Sequence, residues 1–246
     1  MHCKISALGT AVAIFAASIF AQERTDISQW LPDFAKSECG YTDGDDHIEI
    51  PYGVEEIPDY AFYEMKGVRT VIIPPTVSKI GKSAFAWMTD LEEAYLPASL
   101  IDIGGHAFAY DANLHGVTLP EGLQHIGNNA FSRCESLTDI RVPATVTELE
   151  SYAFSDCTMM KVASLPANSC LLGELIFSGC ERLQRLECLS PVPPEFDCQS
   201  FIFEPDDTVR YERCTLIVPR LAVGLYEKAP GWRLFHIITG SDKIPE

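Results

Sequence analysis

The chain has 246 residues, with 35 Asp and Glu against 18 Lys and Arg, a formal net charge of −17 and 47% hydrophobic types. That much apolar material excludes a disordered acidic tail and leaves room for one large domain or two small ones. The negative charge excludes a nucleic-acid or anionic-membrane partner, because both reward a basic surface through counterion release.

Nine Cys exceed the usual complement of a cytosolic enzyme and point to an oxidising compartment. Residues 1–21 read as a secretory signal peptide: Lys4 supplies the positive start, residues 5–20 are apolar and uncharged, and Ala21 precedes Gln22, Glu23 and Arg24. The apolar run is short for a transmembrane helix, and no Lys/Arg cluster follows it. Cleavage near Ala21 would leave a mature chain with no membrane span that is secreted, periplasmic or on the cell surface. Residues 22–50, with Trp30, Leu31, Phe34 and Ile48, read as an N-terminal cap.

From Pro51 onward a 23-residue period governs the chain. Pro51, Pro74, Pro97, Pro120, Pro143 and Pro166 are each 23 residues apart, and so are Phe62, Phe85, Phe108, Phe131, Phe154 and Phe177. Counting each unit from its Pro, the pattern is P-x-x-V-x-x-I-G-x-x-A-F-x-x-C-x-x-L-x-x-V-x-L. Apolar residues at positions 21 and 23, with mostly polar ones between, give the period-2 signature of a half-buried strand. The next Pro cannot donate to a ladder and ends that strand. Gly81, Gly104, Gly127 and Gly173 at position 8 suit a bend that needs unusual backbone angles. Ala-Phe at positions 11 and 12 reads as a short turn or 3₁₀ segment that drops the ring into the core. One unit cannot bury its apolar side alone, but stacked units can, with parallel strands about 4.8 Å apart and a single Phe column inside. Periods of this length mark repeat architectures. The prediction is an α/β repeat solenoid, with six repeats over residues 51–188 and a C-terminal cap over 189–246. In that cap, residues 214–218 read as a last strand and 220–228 as a short helix. Trp232, Leu234, Phe235 and Ile237 are placed against the final coil, and no second domain is expected.

The segment IGNNAFSRCESLTDIRVPATV resembles the leucine-rich repeats of the BspA-like bacterial surface-protein family. Leu137, Ile140 and Val142 carry the strand motif, while Ile126, Gly127, Ala130, Phe131 and Cys134 mark the subfamily. The closing stretches CTLIVP and LYEKAPGW are similar to the final segment of such proteins. Two features depart from the pattern. Gly53, Thr76, Ser99, Gly122 and Thr145 stand where an ordinary leucine-rich repeat has its Asn, with Asn168 alone matching, and Ser169 and Ile176 are out of pattern in the sixth unit. The resemblance implies a leucine-rich-repeat solenoid with a parallel sheet face, short turns or 3₁₀ segments opposite, and an association with adhesion.

The cysteines divide by position. Cys134, Cys157 and Cys180 share position 15 and read as a column of small buried hydrophobes. Cys170, Cys188, Cys198 and Cys214 are candidates for one or two disulfides, with Cys198–Cys214 or Cys188–Cys214 as staples of the C-terminal cap.

Reaction chemistry is hard to find. There is no G-x-S-x-G elbow, H-E-x-x-H, Walker loop or G-x-G-x-x-G, and no C-x₂-C pair for zinc. His106, His115 and His125 fall at variable repeat positions and read as solvated. Asp43, Asp45, Asp46 and Glu49 lack the spacing of an EF-hand loop and read as a solvated acidic turn. No enzyme, cofactor or metal is expected. A hydrolase using Asp45 or Glu49 is the weakest reading.

A solenoid recognises partners through rigidly spaced outward strand residues. Positions 20 and 22 here supply Thr70, Ile72, Glu93, Tyr95, Thr118, Asp139, Arg141, Ser164, Arg185 and Glu187 as candidate ligand contacts. Tyr95, Arg141 and Arg185 lead, since Tyr and Arg are enriched in binding hot spots. Trp87 and Tyr110, both at position 14, form a second candidate patch on the opposite edge. The sequence thus predicts an exported interaction protein that binds an extracellular protein or glycan. The alternative is a structural cell-envelope protein without a specific ligand.

Overall fold

The structure, a computed structural model, describes Cys39 and residues 44–168, 170–195, 202–204 and 206–242. The expected signal peptide, most of the expected N-terminal cap and Cys198 lie outside the described residues.

Each coil contributes two short strands. One series comprises β1 (His47–Glu49), β3 (Thr70–Ile72), β5 (Glu93–Tyr95), β7 (Gly116–Val117), β9 (Asp139–Arg141), β11 (Val162–Leu165) and β13 (Arg185–Cys188). The other comprises β2 (Glu56–Ile57), β4 (Lys79–Ile80), β6 (Asp102–Ile103), β8 (His125–Ile126), β10 (Glu148–Leu149) and β12 (Leu171–Leu172). All pair in parallel, and the repeat units pair with a register offset of 23, as in Glu93 with Thr70 and Glu148 with His125. The solenoid therefore has two ladders, and the second, at positions 6 and 7, stands where only turns were expected. Among the described residues helix is confined to the C-terminal end: α1 (Thr208–Arg213), α2 (Val223–Tyr226) and two 3₁₀ turns. Among the described residues no helix is long and apolar enough to cross a membrane.

Position 12 forms the axis of the core. Phe62, Phe85, Phe108, Phe131, Phe154 and Phe177 are fully buried and stack with centroid spacings of 5.0, 5.0, 5.2, 5.4 and 5.7 Å. The rings lie near-parallel, with 2–13° between successive planes, because the ladders repeat the same backbone placement at every coil. Around them the turn forms a third set of inter-coil bonds. The N–H groups at positions 10, 12 and 14 donate to carbonyls of the next coil, as Ser83, Phe85 and Trp87 do to Gly105, Ala107 and Ala109.

The glycines serve a different purpose from the one expected. The left-handed angles of non-glycine residues fall at positions 10 and 14, on residues such as Ser83 (φ 53°), Trp87 (65°), Tyr110 (68°) and Arg133 (62°). Those conformations carry a cost of order 1 kcal/mol or more each, offset by the bonds that the same N–H groups make to the next coil. At position 8 the four glycines instead stand where the neighbouring coil leaves no room for a side chain. A Cβ on Gly127 would lie 2.5 Å from the Gly105 nitrogen, and one on Gly173 would lie 2.2 Å from the Ser151 nitrogen. The coils touch backbone to backbone there.

The position-15 cysteines are buried as expected, and each has a defined bond. Cys134, Cys157 and Cys180 donate from Sγ to the carbonyls of Phe108, Phe131 and Phe154 at 3.1, 3.3 and 3.1 Å. Asp111 takes the same position one coil earlier and is fully buried. Its Oδ1 accepts from the Met88 N–H at 2.8 Å, whereas Oδ2 has no hydrogen-bond partner. Burial pushes its carboxyl well above the ordinary range.

Cys170, Cys188 and Cys214 are free buried thiols, which corrects the expected staples. The register explains the missing Cys188–Cys214 bridge. Glu187 pairs with Ile217, so Cys188 falls level with Val218, four residues or roughly 13 Å along the strand from Cys214. A disulfide needs Cα atoms within about 7 Å. Cys188 instead meets the Tyr226 hydroxyl at 3.2 Å.

The C-terminal region adds coils that the 23-residue register hides. Phe177 N–H donates to the Ile202 carbonyl as each earlier Phe does to the next coil, so Ile202 and Phe203 fill the Ala-Phe slot of a seventh coil. Its strand β14 (Thr215–Pro219) pairs with β13, and β15 (Ile237–Ser241) pairs with β14 and closes the sheet, giving about eight turns. The strand over 214–218 is therefore not the last, and Ile237 is exposed rather than packed. Trp232 and Phe235 are buried as expected, with Trp232 Nε1 donating to the Pro194 carbonyl at 2.9 Å.

Replacing Gly127 with Ala is expected to lower the stability by about 1–3 kcal/mol, as overpacking does. Gly224→Ala, where a Cβ meets open space, is expected to be neutral or mildly stabilising. Urea unfolding of the two variants checks the contrast. Asp111→Asn tests the buried acid. A carboxyl raised in the folded state holds a proton that the unfolded chain releases above about pH 4, so wild-type stability falls as pH rises. The advantage of Asp111→Asn should grow by up to about 1.4 kcal/mol per pH unit above that point, measured by denaturant midpoints between pH 4 and 8.

Candidate functional site

All ten candidate contacts of the sheet face point away from the core. Thr118, Ile72, Tyr95, Asp139, Arg141 and Arg185 are exposed, while Thr70, Glu93, Ser164 and Glu187 are partly covered. The face is not one continuous sheet, however. Strands β1-β3-β5-β7 form one sheet and β9-β11-β13-β14-β15 another, with no pairing between β7 and β9. Gly116 sits at this break, and glycine in a strand removes the side chain that would pack across the ladder. A Cβ there would meet Glu93 Cγ at 2.8 Å.

The break divides the candidates into two groups. On one side Tyr95, 55% exposed, lies beside Ile72, 39% exposed, and donates its hydroxyl to Glu93 Oε2 at 2.5 Å. That carboxylate raises the Tyr95 pKa. On the other side Arg141 pairs in register with Ser164, which pairs with Glu187. Arg185 is tied to Glu187, whereas Arg141 has no ionic partner among the described residues. The cation available to a partner on this face is thus Arg141 more than Arg185.

The second patch is also brought together. Trp87 and Tyr110 stack at 4.1 Å with 7° between their planes, and the Arg133 guanidinium lies over Tyr110 at 5.3 Å. Arg133 in turn pairs with Asp156 at 3.4 Å, extending the position-14 column over four coils. Stacking uses one face of each ring, yet Trp87 is still 40% exposed.

On the second ladder the structure assembles a group that the residue pattern had left as a solvated histidine. His125 is about 29% exposed and receives two carboxylates: its Nδ1 meets Asp102 Oδ1 at 2.6 Å and its Nε2 meets Glu150 Oε1 at 3.0 Å. Lys79 pairs with Asp102 at 3.3 Å, and the Asn128 N–H donates to Glu150 Oε2 at 2.8 Å. The bond to Asp102, reinforced by Glu150, outweighs partial burial and raises His125 to about 9, while the same contact lowers Asp102. His106 shifts the other way, lowered by burial and then by Lys82. Repeat position 6 was variable in the sequence. The signal that could have found this group is the order of position-6 residues from Lys79 through Asp102 and His125 to Glu148.

These features define a leucine-rich-repeat solenoid. Residues 37–161 and 78–193 match the family described as BspA type leucine rich repeat region, in six copies. The chain belongs to that family. It is 32% identical to a solved leucine rich repeat protein of T. pallidum, with a TM-score of 0.54, covering 60% of this chain and 79% of that one. It also shares the fold of the pneumococcal vaccine antigen PcpA at 17% identity and a TM-score of 0.51, covering 81% of this chain but 42% of the pneumococcal one. The chain therefore spans less than half of that antigen. No curated protein matches it.

The histidine cluster makes stability pH-dependent. A His raised in the folded state contributes stability that is fully present below its unfolded value of about 6.5 and is lost as pH rises through about 9. The stability difference between wild type and His125→Gln should accordingly shrink between pH 6.5 and 9.5, followed by urea unfolding in chelator-containing buffer. An equal difference across that range would show that the ring is not charged at neutral pH.

Proposed function

We propose that the chain is an exported, non-catalytic interaction protein that binds an extracellular protein or glycan through its strand face, in adhesion. Membership of a leucine-rich-repeat family points to an interaction or surface role, and the finer reading is supported by the composition of that face. The observation that carries it is the exposure of Ile72, Tyr95 and Val162 on short parallel strands whose spacing the core holds rigid. Large apolar side chains on a rigid face lose little conformational entropy on binding, and Tyr and Arg supply both area and hydrogen bonds. Arg141, with no ionic partner among the described residues, adds a cation to a strongly acidic chain, which would fit an acidic group on the partner. The Trp87–Tyr110 stack is a second contact region suited to a sugar ring or an apolar side chain.

The test is binding of the purified chain to immobilised extracellular-matrix proteins and to a glycan array, beside the Tyr95→Ala/Arg141→Ala double variant. Binding at the face predicts at least a tenfold loss in affinity, about 1.4 kcal/mol, with an unchanged unfolding midpoint. Equal binding by the double variant overturns the site. Fractionation of the producing cells tests export: the chain should be found at the surface, in the periplasm or in the medium.

A further inference from the structure

We propose that His125, Glu148 and Glu150 form a binding site for a divalent transition-metal cation, zinc above all, on the second ladder of the solenoid.

The ladder itself builds the ligand set. His125 on β8 and Glu148 on β10 are register partners, one coil apart. Glu150 follows Glu148 by two residues, and the buried Leu149 between them turns both carboxylates outward on the same side. One ligand atom from each of the three residues lies within 4.8 Å of the others. A tetrahedral zinc holds nitrogen and oxygen ligands at about 2.0–2.2 Å, which places them roughly 3.4 Å apart, so modest rotamer changes close the set. Three protein ligands leave the fourth position open to water or to a group from a partner.

Two details separate this group from a chance pair of surface acids. First, the outer contacts are those of a metal-ligating histidine. Asp102 accepts from Nδ1 at 2.6 Å, which fixes the tautomer and directs Nε2 toward the carboxylates. Asp102 is itself oriented by Lys79, and Glu150 by the Asn128 N–H. Second, Glu150 stands at position 8, where four coils have Gly because the backbones touch. A carboxylate there departs from the packing rule of the repeat and is aimed at His125. The cation replaces the proton that Nε2 otherwise shares with Glu150, and one imidazole with two carboxylates suits zinc better than calcium or magnesium, which prefer all-oxygen shells.

The test is calorimetric titration of the reduced full chain with zinc chloride, beside Glu148→Gln, Glu150→Gly and Asp102→Asn. Glu150→Gly restores the repeat residue, and Glu148 is exposed, so neither variant threatens the fold; unfolding midpoints verify this. One zinc per chain is expected in the wild type, with at least tenfold weaker binding on loss of either ligand and 10–100-fold weaker binding in Asp102→Asn. Cobalt substitution should give visible bands without a thiolate charge-transfer band. No uptake by the wild type at about 1 mM zinc, equal uptake by the ligand variants, or a thiolate band would each overturn the assignment.

Discussion

Backbone contact between successive coils at repeat position 8 is the constraint on which the rest of this molecule depends. Gly81, Gly104, Gly127 and Gly173 let one coil rest on another with no side chain between, and the ladders on either side hold the same spacing. That spacing is short enough for the phenylalanine rings to lie face over face at 5.0–5.7 Å and for Sγ of one coil to reach a carbonyl of the coil before. The left-handed residues at positions 10 and 14 persist for the same reason. Their strain is held by N–H groups that bond the next coil only when the coils are this close.

Strict stacking converts sequence position into columns, and columns explain most of the surface chemistry. Residues 23 apart become neighbours whatever their type. Trp87, Tyr110, Arg133 and Asp156 form one continuous strip, and Lys79, Asp102 and His125 form another. Neighbours on adjacent coils tune a histidine in either direction: His125, bonded by Asp102 and Glu150, is raised, whereas His106 is lowered by burial first and by Lys82 second. Where a column contains glycine on the strand side, at Gly116, the ladder parts, and the outward face becomes two sheets with Tyr95 and Arg141 on opposite sides of the break.

Much of the fold was legible because the repeat is close to strict. The buried Phe column, the parallel strands at positions 20–22, the buried Cys column and the stacking of Trp87 on Tyr110 all follow from a fixed offset of 23. Legibility ended where the offset changed. Phe203 follows Phe177 by 26 residues rather than 23, so the seventh coil escaped the register although its Ile-Phe pair matches Ile176-Phe177. The second ladder was missed because its strands are two residues long, too short to show a period. The expected Cys188–Cys214 staple is absent because pairing depends on how far along a strand two cysteines fall, which the sheet register decides.

The sequence by itself determined the coil: its length, its core residues, its outward positions and the family to which it belongs, because period and polarity are local properties of the chain. Only the tertiary structure decided why the glycines are needed, which cysteines lie too far apart to bridge, where the sheet breaks, and that His125 meets Asp102 and Glu150. Each of these is a contact between coils, set by register and approach distance, and neither quantity can be read from one coil alone.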